Sequence, residues 1–301
     1  MLNLYPLRRP GKRSIAVLNI AHRGARAFAP ENTLAAFAKA KTFGCRMFEL
    51  DVRLSLDGEL MVHHDDQLLR CTDVQAKFPD RNRYDIWDFT CDELSRLDAG
   101  RWYIAQLLLP GPQRQAFLQT LTEDELTRFV SPKEREFYAS GKIRLPTLKQ
   151  ALAFAGRTDM MVNIELKMQP GDDKMAEAVV QLVEAMGMAQ RVLISSFDHQ
   201  QLALVRRLSD SIATGVLTDD RLAHPHDYLQ ALDADAYHPH CYDAEAGTLN
   251  LDDIAATRAA GRTVNVWTCN NQDDMRKLIA AGVTGLISDY PNRVREVLSA
   301  L

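Results

Sequence analysis

The sequence predicts an α/β fold, a (β/α)8 TIM barrel with a long insertion after the second strand. Three observations support this prediction. Short apolar runs alternate with helical patterns from end to end, eight such pairs occur, and 301 residues is an ordinary length for one barrel of this kind. A doubly wound open sheet is the alternative, but no G-x-G-x-x-G motif follows a strand.

The predicted elements alternate along the chain. The strands are short apolar runs, and they are Ile15–Ile20, Met47–Val52, Met161–Leu166, Val192–Ser195, Ile212–Leu217, Asp235–Tyr237, Thr263–Trp267 and Gly285–Ser288. The helices show apolar residues at helical spacing, and they are Asn32–Phe43, Leu148–Phe154, Met175–Ala185, Gln200–Leu208, Tyr228–Leu232, Ile254–Ala259, Met275–Ala280 and Pro291–Leu301.

One connection is too long for a simple barrel loop. About 90 residues separate the second strand from the helix that follows Pro146, whereas such loops usually have about 2–6 residues. We therefore expect one domain over residues 14–301, with an inserted substructure on the barrel rim at about residues 53–145. Within it, Asp57-Gly58 predicts a hairpin over Val52–His63, and a polar helical stretch lies near Thr122–Tyr138.

Composition narrows the class of protein. The chain carries 36 basic and 40 acidic side chains, a net charge of −4, and this weak acidity argues against a nucleic-acid-binding protein. We find neither a signal peptide nor a long apolar run, so we expect no stable membrane insertion. The cysteines are odd in number and widely spaced, which favours reduced thiols and a cytoplasmic protein: Cys45, Cys71, Cys91, Cys241 and Cys269.

Reactive side chains follow the predicted strands, and strand ends form the catalytic mouth of such a barrel. The first three ends carry His22 and Arg23, Glu49 and Asp51, and Glu165 and Lys167, and later ends carry Phe197, Trp267 and Asp289. Buried carboxylates need a counter-charge or a metal. Three carboxylates without a cysteine indicate a hard cation, Mg²⁺ or Ca²⁺. The alternative is a network of ion pairs with the nearby cations.

Motifs across almost the whole chain resemble the glycerophosphodiester phosphodiesterases, a family of TIM barrels related to the phospholipase-C-like phosphodiesterases. These motifs are His22-Arg23-Gly24, Pro30-Glu31-Asn32-Thr33, Glu49-Leu50-Asp51-Val52, His64-Asp65, Leu145-Pro146-Thr147-Leu148, Asn163-Ile164-Glu165-Leu166-Lys167, Ser195-Ser196-Phe197-Asp198, Val266-Trp267-Thr268 and Ser288-Asp289-Tyr290-Pro291. Two features depart from the family pattern: Cys71 replaces a frequent Thr, and residues 103–141 match nothing familiar.

The resemblance implies an enzyme that cleaves glycerophosphodiesters into sn-glycerol 3-phosphate and an alcohol, with one divalent cation. It also implies a role for each matching residue: His22 and His64 as the acid–base pair, Glu49, Asp51 and Glu165 as metal ligands, Arg23 and Lys167 at the phosphate, Phe197 and Trp267 at the glycerol or alcohol group, and Glu31 and Asn32 as supports of the mouth. The sequence leaves the oligomeric state open.

Alternatives remain open at this point. The same chemistry could act on lysophospholipids, as in a lysophospholipase D, or the chain could be a catalytically silent relative that binds phosphodiesters or a protein. The histidines at positions 224, 226, 238 and 240 could form a second metal site. The run Leu107–Leu109 could meet a lipid chain, although a buried contact on the rim is the favoured interpretation.

Overall fold

Eight parallel strands close on themselves in the computed structural model, which describes Leu7 and residues 16–169, 174–243 and 247–301. A ninth strand, β3, pairs antiparallel with β2 and lies outside the closed ring. This confirms the predicted barrel. The strands are β1 (Leu18–Ala21), β2 (Met47–Leu54), β3 (Leu60–Val62), β4 (Met161–Leu166), β5 (Val192–Ser196), β6 (Ala213–Thr218), β7 (Ala236–Pro239), β8 (Thr263–Val266) and β9 (Gly285–Ser288).

Helices follow the barrel strands and cover the outside of the sheet. They are α1 (Leu34–Thr42), α2 (Val74–Lys77), α3 (Cys91–Ser95), α4 (Arg101–Leu107), α5 (Glu123–Phe129), α6 (Pro132–Ala139), α7 (Leu148–Thr158), α8 (Met175–Ala185), α9 (His199–Leu208), α10 (Pro225–Ala231), α11 (Leu251–Ala259), α12 (Gln272–Ala280) and α13 (Pro291–Ser299). Four of the five helices α2–α6 are shorter than eight residues, and all five lie between β3 and α7.

The barrel interior changes from apolar to polar along the strands. An apolar cluster at the amino-terminal end combines side chains from seven strands, such as Leu18, Met47 and Met161, and Leu7 packs in the same cluster. Because side chains on a strand alternate, Glu49 and Asp51 face the same way as Met47. The fold therefore places these two carboxylates inside the barrel, above an apolar floor.

The element boundaries differ from the predicted ones where pairing or capping decides them. Strand β2 continues to Leu54, because the predicted hairpin forms and pairs its last residues with β3. The predicted helical stretch at 122–138 is two helices. Ser131 caps α6, its hydroxyl accepting a hydrogen bond from the Glu134 amide, and Pro132 stands in the first turn where it costs no hydrogen bond. Ile15 lies outside the described residues.

Residues 53–145 pack against the first and last helical units of the barrel. The buried Tyr103 hydroxyl donates to the Ala27 carbonyl over 2.8 Å. Lys39 of α1 pairs with Glu134 of α6 over 2.6 Å. On the other side, Arg293 of α13 donates to both carboxylate oxygens of Glu125 over 2.8 and 2.7 Å. These contacts hold the segment beside the carboxyl ends of β1 and β9.

All five cysteines lie among the described residues and are free thiols, as predicted; four of them are buried. None of the helices in the described part of the chain combines the length and the apolar character needed to cross a bilayer.

Glu125 makes the docking of α5 on α13 sensitive to acid. Burial would raise the pKa of Glu125, but hydrogen bonds from Arg293 and Asn292 outweigh it and lower the pKa to about 2. A carboxyl whose pKa is depressed in the folded state stabilises the fold above its unfolded pKa near 4.5 and loses this contribution as the pH falls towards 2. We expect Glu125→Gln to flatten the loss of stability between pH 4.5 and 2.

This prediction is checked by urea unfolding at several pH values. The matched control is Glu177→Gln, since Glu177 is exposed on α8 and accepts a hydrogen bond from Gln181 of its own helix. Identical pH profiles for Glu125→Gln and the parent chain would contradict the prediction.

Candidate active site

The carboxyl ends of β2 and β4 bring three carboxylates together inside the mouth of the barrel. Glu49 and Asp51 lie on β2, and Glu165 lies opposite Asp51 in the register of β2 with β4. One oxygen from each carboxylate lies within 4.8 Å of the others, and all three residues are buried. It is the one group of potential metal ligands found in the described part of the chain.

A tight turn after β1 aims the His22-Arg23 backbone at this group. Arg23 adopts a left-handed φ of 53° and Gly24 a φ of 76°. A Cβ on Gly24 would lie 2.7 Å from Ala36 of α1, so only glycine fits at this position. The turn directs the Arg23 amide to Glu49 Oε2 over 2.7 Å.

Asp51 is surrounded by donors and cations. Asn32 Nδ2 donates to Asp51 Oδ2 over 2.7 Å, while Arg23 Nε lies 3.4 Å from Oδ2 and Lys167 Nζ lies 3.4 Å from Oδ1. Burial alone would raise the pKa of Asp51. The charges of His64, Arg23 and Lys167 outweigh it and hold this pKa well below its usual value. Asp51 is therefore ionised at any physiological pH.

Glu49 and Glu165 are less compensated. Burial, and then the neighbouring carboxylates, raise the pKa of Glu49 well above its usual value. Burial likewise raises the pKa of Glu165, although Lys167 lies in direct contact with it. Glu49 Oε1 is buried and accepts no hydrogen bond from the described residues. An unpartnered oxygen beside two further carboxylates fits a hard divalent cation, so this donor set suits Mg²⁺ or Ca²⁺.

His22 lies at the edge of the three carboxylates, and Asp289 holds its ring on the other side. Its Nδ1 bonds Asp289 Oδ1 over 2.7 Å, and its Nε2 lies 3.9 Å from Glu49 Oε2. Burial first, and then the charge of Arg26, lower the pKa of His22 to about 4 in spite of Asp289. The ring therefore presents Nε2 to the mouth, with Nδ1 held by a buried carboxylate.

His64 reaches the mouth from the other direction, just after β3. Its Nδ1 bonds Asp65 Oδ1 over 2.6 Å, and its side chain is 29% exposed. Its charge is near enough to lower the pKa of Asp51. The neighbouring His63 is buried instead, and its Nε2 bonds the Gln67 carbonyl over 3.2 Å.

Sequence reasoning missed the partners of both histidines. Asp65 and Asp289 lie inside the motifs quoted above, but the sequence suggested no role for either. Each aspartate in turn accepts bidentate hydrogen bonds from an arginine, Arg70 for Asp65 and Arg26 for Asp289. The signal that could have found them is their position: one directly follows His64, and the other closes the last strand.

The predicted aromatic residues lie together just after the carboxyl ends of β5 and β8. The rings of Phe197 and Trp267 meet edge to face with centroids 5.4 Å apart, and Phe197 is 41% exposed. Lys167 Nζ lies 6.0 Å from the Phe197 ring, and the ring of His240 packs on the other side of Trp267 at 5.0 Å. The mouth thus has a charged side and an aromatic side.

One alternative from the sequence loses support in the structure, and one expected contact holds only in part. The histidines at 224, 226, 238 and 240 form no metal-binding group in the part of the chain that is described. Instead, His238 is fully buried and accepts a hydrogen bond from Asn265. In the leucine run, Leu107 packs against the core while Leu108 is 82% exposed, so the buried rim contact holds for the first leucine only.

Comparisons with known proteins identify a family for this chain. Residues 22–293 match the glycerophosphoryl diester phosphodiesterase family. A glycerophosphodiester phosphodiesterase of Bacillus altitudinis is 29% identical over 92% of this chain and 96% of its own length. One of Caldanaerobacter subterraneus is 30% identical over 91% of this chain and 94% of its own.

Solved structures share the fold and its length. An Oleispira antarctica phosphodiesterase in complex with the product sn-glycerol-3-phosphate has a TM-score of 0.73 and 26% identity over 95% of this chain and 97% of that one. A Silicibacter pomeroyi structure has the same TM-score and identity over 99% and 97%. Because the family match runs from His22 to α13, the chain belongs to the glycerophosphoryl diester phosphodiesterase family.

Proposed function

We propose that this chain hydrolyses glycerophosphodiesters to sn-glycerol 3-phosphate and an alcohol, with one divalent cation and the histidine pair His22 and His64. The observation that carries the proposal is the buried group of three carboxylates with a carboxylate-bound histidine at its edge. The product bound in the Oleispira relative supports the choice of substrate. The catalytically silent alternative has no use for two such histidines.

Glu49, Asp51 and Glu165 would hold the cation, Mg²⁺ or Ca²⁺. When bound, the cation would offset the negative charge of the phosphodiester and help to align the attacking oxygen. The unpartnered Glu49 oxygen and the raised pKa values of Glu49 and Glu165 support this assignment, since a divalent charge relieves the repulsion among the three carboxylates.

The two histidines would transfer the protons of the reaction, because an alkoxide is a poor leaving group until it is protonated. A protonated imidazole gives a proton to the departing alkoxide, and a neutral imidazole takes the proton of the nucleophile. Their Nδ1 atoms are bound to Asp289 and Asp65, so Nε2 is the atom of each ring that would exchange protons. The nucleophile is water or the neighbouring glycerol hydroxyl of the substrate, and the latter route passes through a cyclic phosphate.

The remaining predicted residues would bind the substrate or support the side chains of the mouth. Arg23 and Lys167 border the carboxylates and would contact the phosphate oxygens. Phe197 and Trp267 offer an apolar wall to the glycerol or alcohol group. On the supporting side, Asn32 holds Asp51 by its side-chain amide. Glu31 pairs with Arg23 over 2.9 Å, which keeps the arginine turned towards the mouth.

We expect His22→Ala and His64→Ala each to lower kcat by about 10²–10⁴-fold, the usual loss when a positioned acid or base is removed. The measurement is release of glycerol 3-phosphate from glycerophosphocholine, with circular dichroism as the check on folding. His224→Ala is the matched control, because His224 is exposed at the start of α10 and its side chain makes no capping hydrogen bond. Near-normal turnover in either folded variant would remove that histidine from the mechanism.

We expect a chelator to abolish activity and added Mg²⁺ or Ca²⁺ to restore it. Glu165→Gln keeps the size of the side chain but removes its charge. The concentration of cation for half-maximal activity should therefore rise by at least about ten-fold, since even the partners of metal ligands change affinity by 10–100-fold. Glu184→Gln, an exposed change on α8, should leave it unaltered. Full activity of protein that elemental analysis shows to be metal-free would refute metal dependence.

Substrate class is tested by comparing glycerophosphocholine, glycerophosphoethanolamine and lysophosphatidylcholine under the same conditions. We expect kcat/KM to be higher for the two water-soluble diesters. The exposed Leu108 is the one observation that favours the lysophospholipase D alternative. A higher kcat/KM for the lysolipid, reduced by Leu108→Ser, would replace the proposed substrate with a lysophospholipid.

A further inference from the structure

The two histidines are held by matching chains of contacts. His22 Nδ1 bonds Asp289, and both oxygens of Asp289 accept hydrogen bonds from Arg26. His64 Nδ1 bonds Asp65, and both oxygens of Asp65 accept hydrogen bonds from Arg70, over 2.6 and 3.1 Å. In each chain a planar guanidinium sets the plane of the carboxylate, and the carboxylate sets the orientation of the imidazole.

Both chains meet at one buried carboxylate, that of Glu31. Arg70 donates to its two oxygens over 3.1 and 2.6 Å, and Arg26 Nη1 lies 3.7 Å from Oε2. Burial would raise the pKa of Glu31, but its arginine partners outweigh it and keep the pKa well below its usual value. Glu31 thus links the two chains of contacts, and both arginines have further partners besides Glu31, Asp65 and Asp289.

A single turn of the insertion contacts both arginines. Gln115 Oε1 accepts a hydrogen bond from Arg70 Nη1 over 3.1 Å. Two residues later, the ring centroid of Phe117 lies 4.3 Å from Arg26 Cζ, which is within the range of a cation–π contact. Gln115 and Phe117 therefore touch one arginine each, and they stand on either side of Ala116.

The turn itself is fixed to the rest of the molecule on both sides. The backbone N–H of Gln115 donates a hydrogen bond to Gln106 Oε1 over 2.8 Å. The backbone carbonyl of Phe117 accepts one from the Tyr290 hydroxyl over 2.6 Å. Leu118 follows and is fully buried. A turn that is anchored in this way can restrict the side chains that lean on it.

We propose that the turn Gln115–Phe117 positions both histidines, by holding Arg70 and Arg26 in the orientation that Asp65 and Asp289 require. The inference rests on the proposed two-histidine mechanism and assigns a role to a segment without any counterpart in the family motifs quoted above. Gln115 and Phe117 are positioning residues: they act on the reaction through the arginines and touch no reacting atom.

The main test compares Phe117→Leu with Phe117→Tyr. Leucine keeps an apolar side chain without an aromatic face, whereas tyrosine keeps the face. We expect Phe117→Leu to lower kcat by about 3–30-fold, which corresponds to the usual strength of a cation–π contact, and KM to change less than two-fold. Phe117→Tyr should restore kcat to within two-fold of the parent. The control is Phe137→Leu, an exposed aromatic on α6 of the same insertion.

A second test distinguishes an effect of Phe117 and Gln115 through the two arginines from a general loss of order in the insertion. If Phe117 acts through Arg26, the losses in kcat from Phe117→Leu and Arg26→Lys should combine to less than their product, as expected for residues in one chain of contacts. The same shortfall should appear for Gln115→Ala with Arg70→Lys. Gln115 is only partly buried, so its variant stays available if Phe117→Leu does not fold.

The outcomes are distinct. Unchanged kcat in folded Phe117→Leu and Gln115→Ala overturns the proposal, and so does a rise in KM at constant kcat, which would place the turn on the substrate. Losses that multiply in both double variants, or a loss that Phe117→Tyr fails to restore, also overturn it. Full activity of His22→Ala or His64→Ala, by contrast, is a failure of the proposed mechanism and not of the positioning.

Discussion

The structure of the mouth depends on one electrostatic constraint, the burial of three carboxylates within 4.8 Å of one another. Buried like charges repel each other strongly, and they persist only where cations and hydrogen-bond donors compensate them. Arg23 and Lys167 do so for Asp51, while Glu49 Oε1 accepts no hydrogen bond from the described residues. This incomplete compensation distinguishes the three carboxylates from a closed network of ion pairs and leaves them suited to a cation.

Several local features of the backbone follow from this constraint. The left-handed turn at Arg23 and Gly24 brings a main-chain N–H to Glu49, and α1 packs so closely behind Gly24 that no side chain fits there. Asn32 also adopts a left-handed φ, of 54°, and its side chain bonds Asp51. Arg23 and Asn32 thus have strained backbone conformations near the site. Their hydrogen bonds to carboxylates offset this strain, and the apolar side chains at the floor of the barrel could not make such bonds.

The histidines are oriented from outside the barrel as well as from within. The barrel supplies His22 and Asp289, whereas the insertion supplies His64, Asp65, Arg70 and the turn at 115–117. The insertion is therefore more than a wall beside the mouth. Tyr103 belongs to its core and bonds the Ala27 carbonyl, so the insertion contributes to the fold as well as to the site.

The sequence by itself determined the barrel, most strand positions and the three carboxylates, because strand periodicity and the end of each strand are local properties of the chain. The tertiary structure decided which carboxylates and arginines orient the histidines. Asp289 is 267 residues from His22, and Arg26 and Arg70 meet at Glu31 only when β1, β9 and the insertion pack together. Asp65 directly follows His64, but the contacts of His22 with Asp289 and of Arg70 with Glu31 join distant segments through side-chain geometry, which no local pattern of residues records.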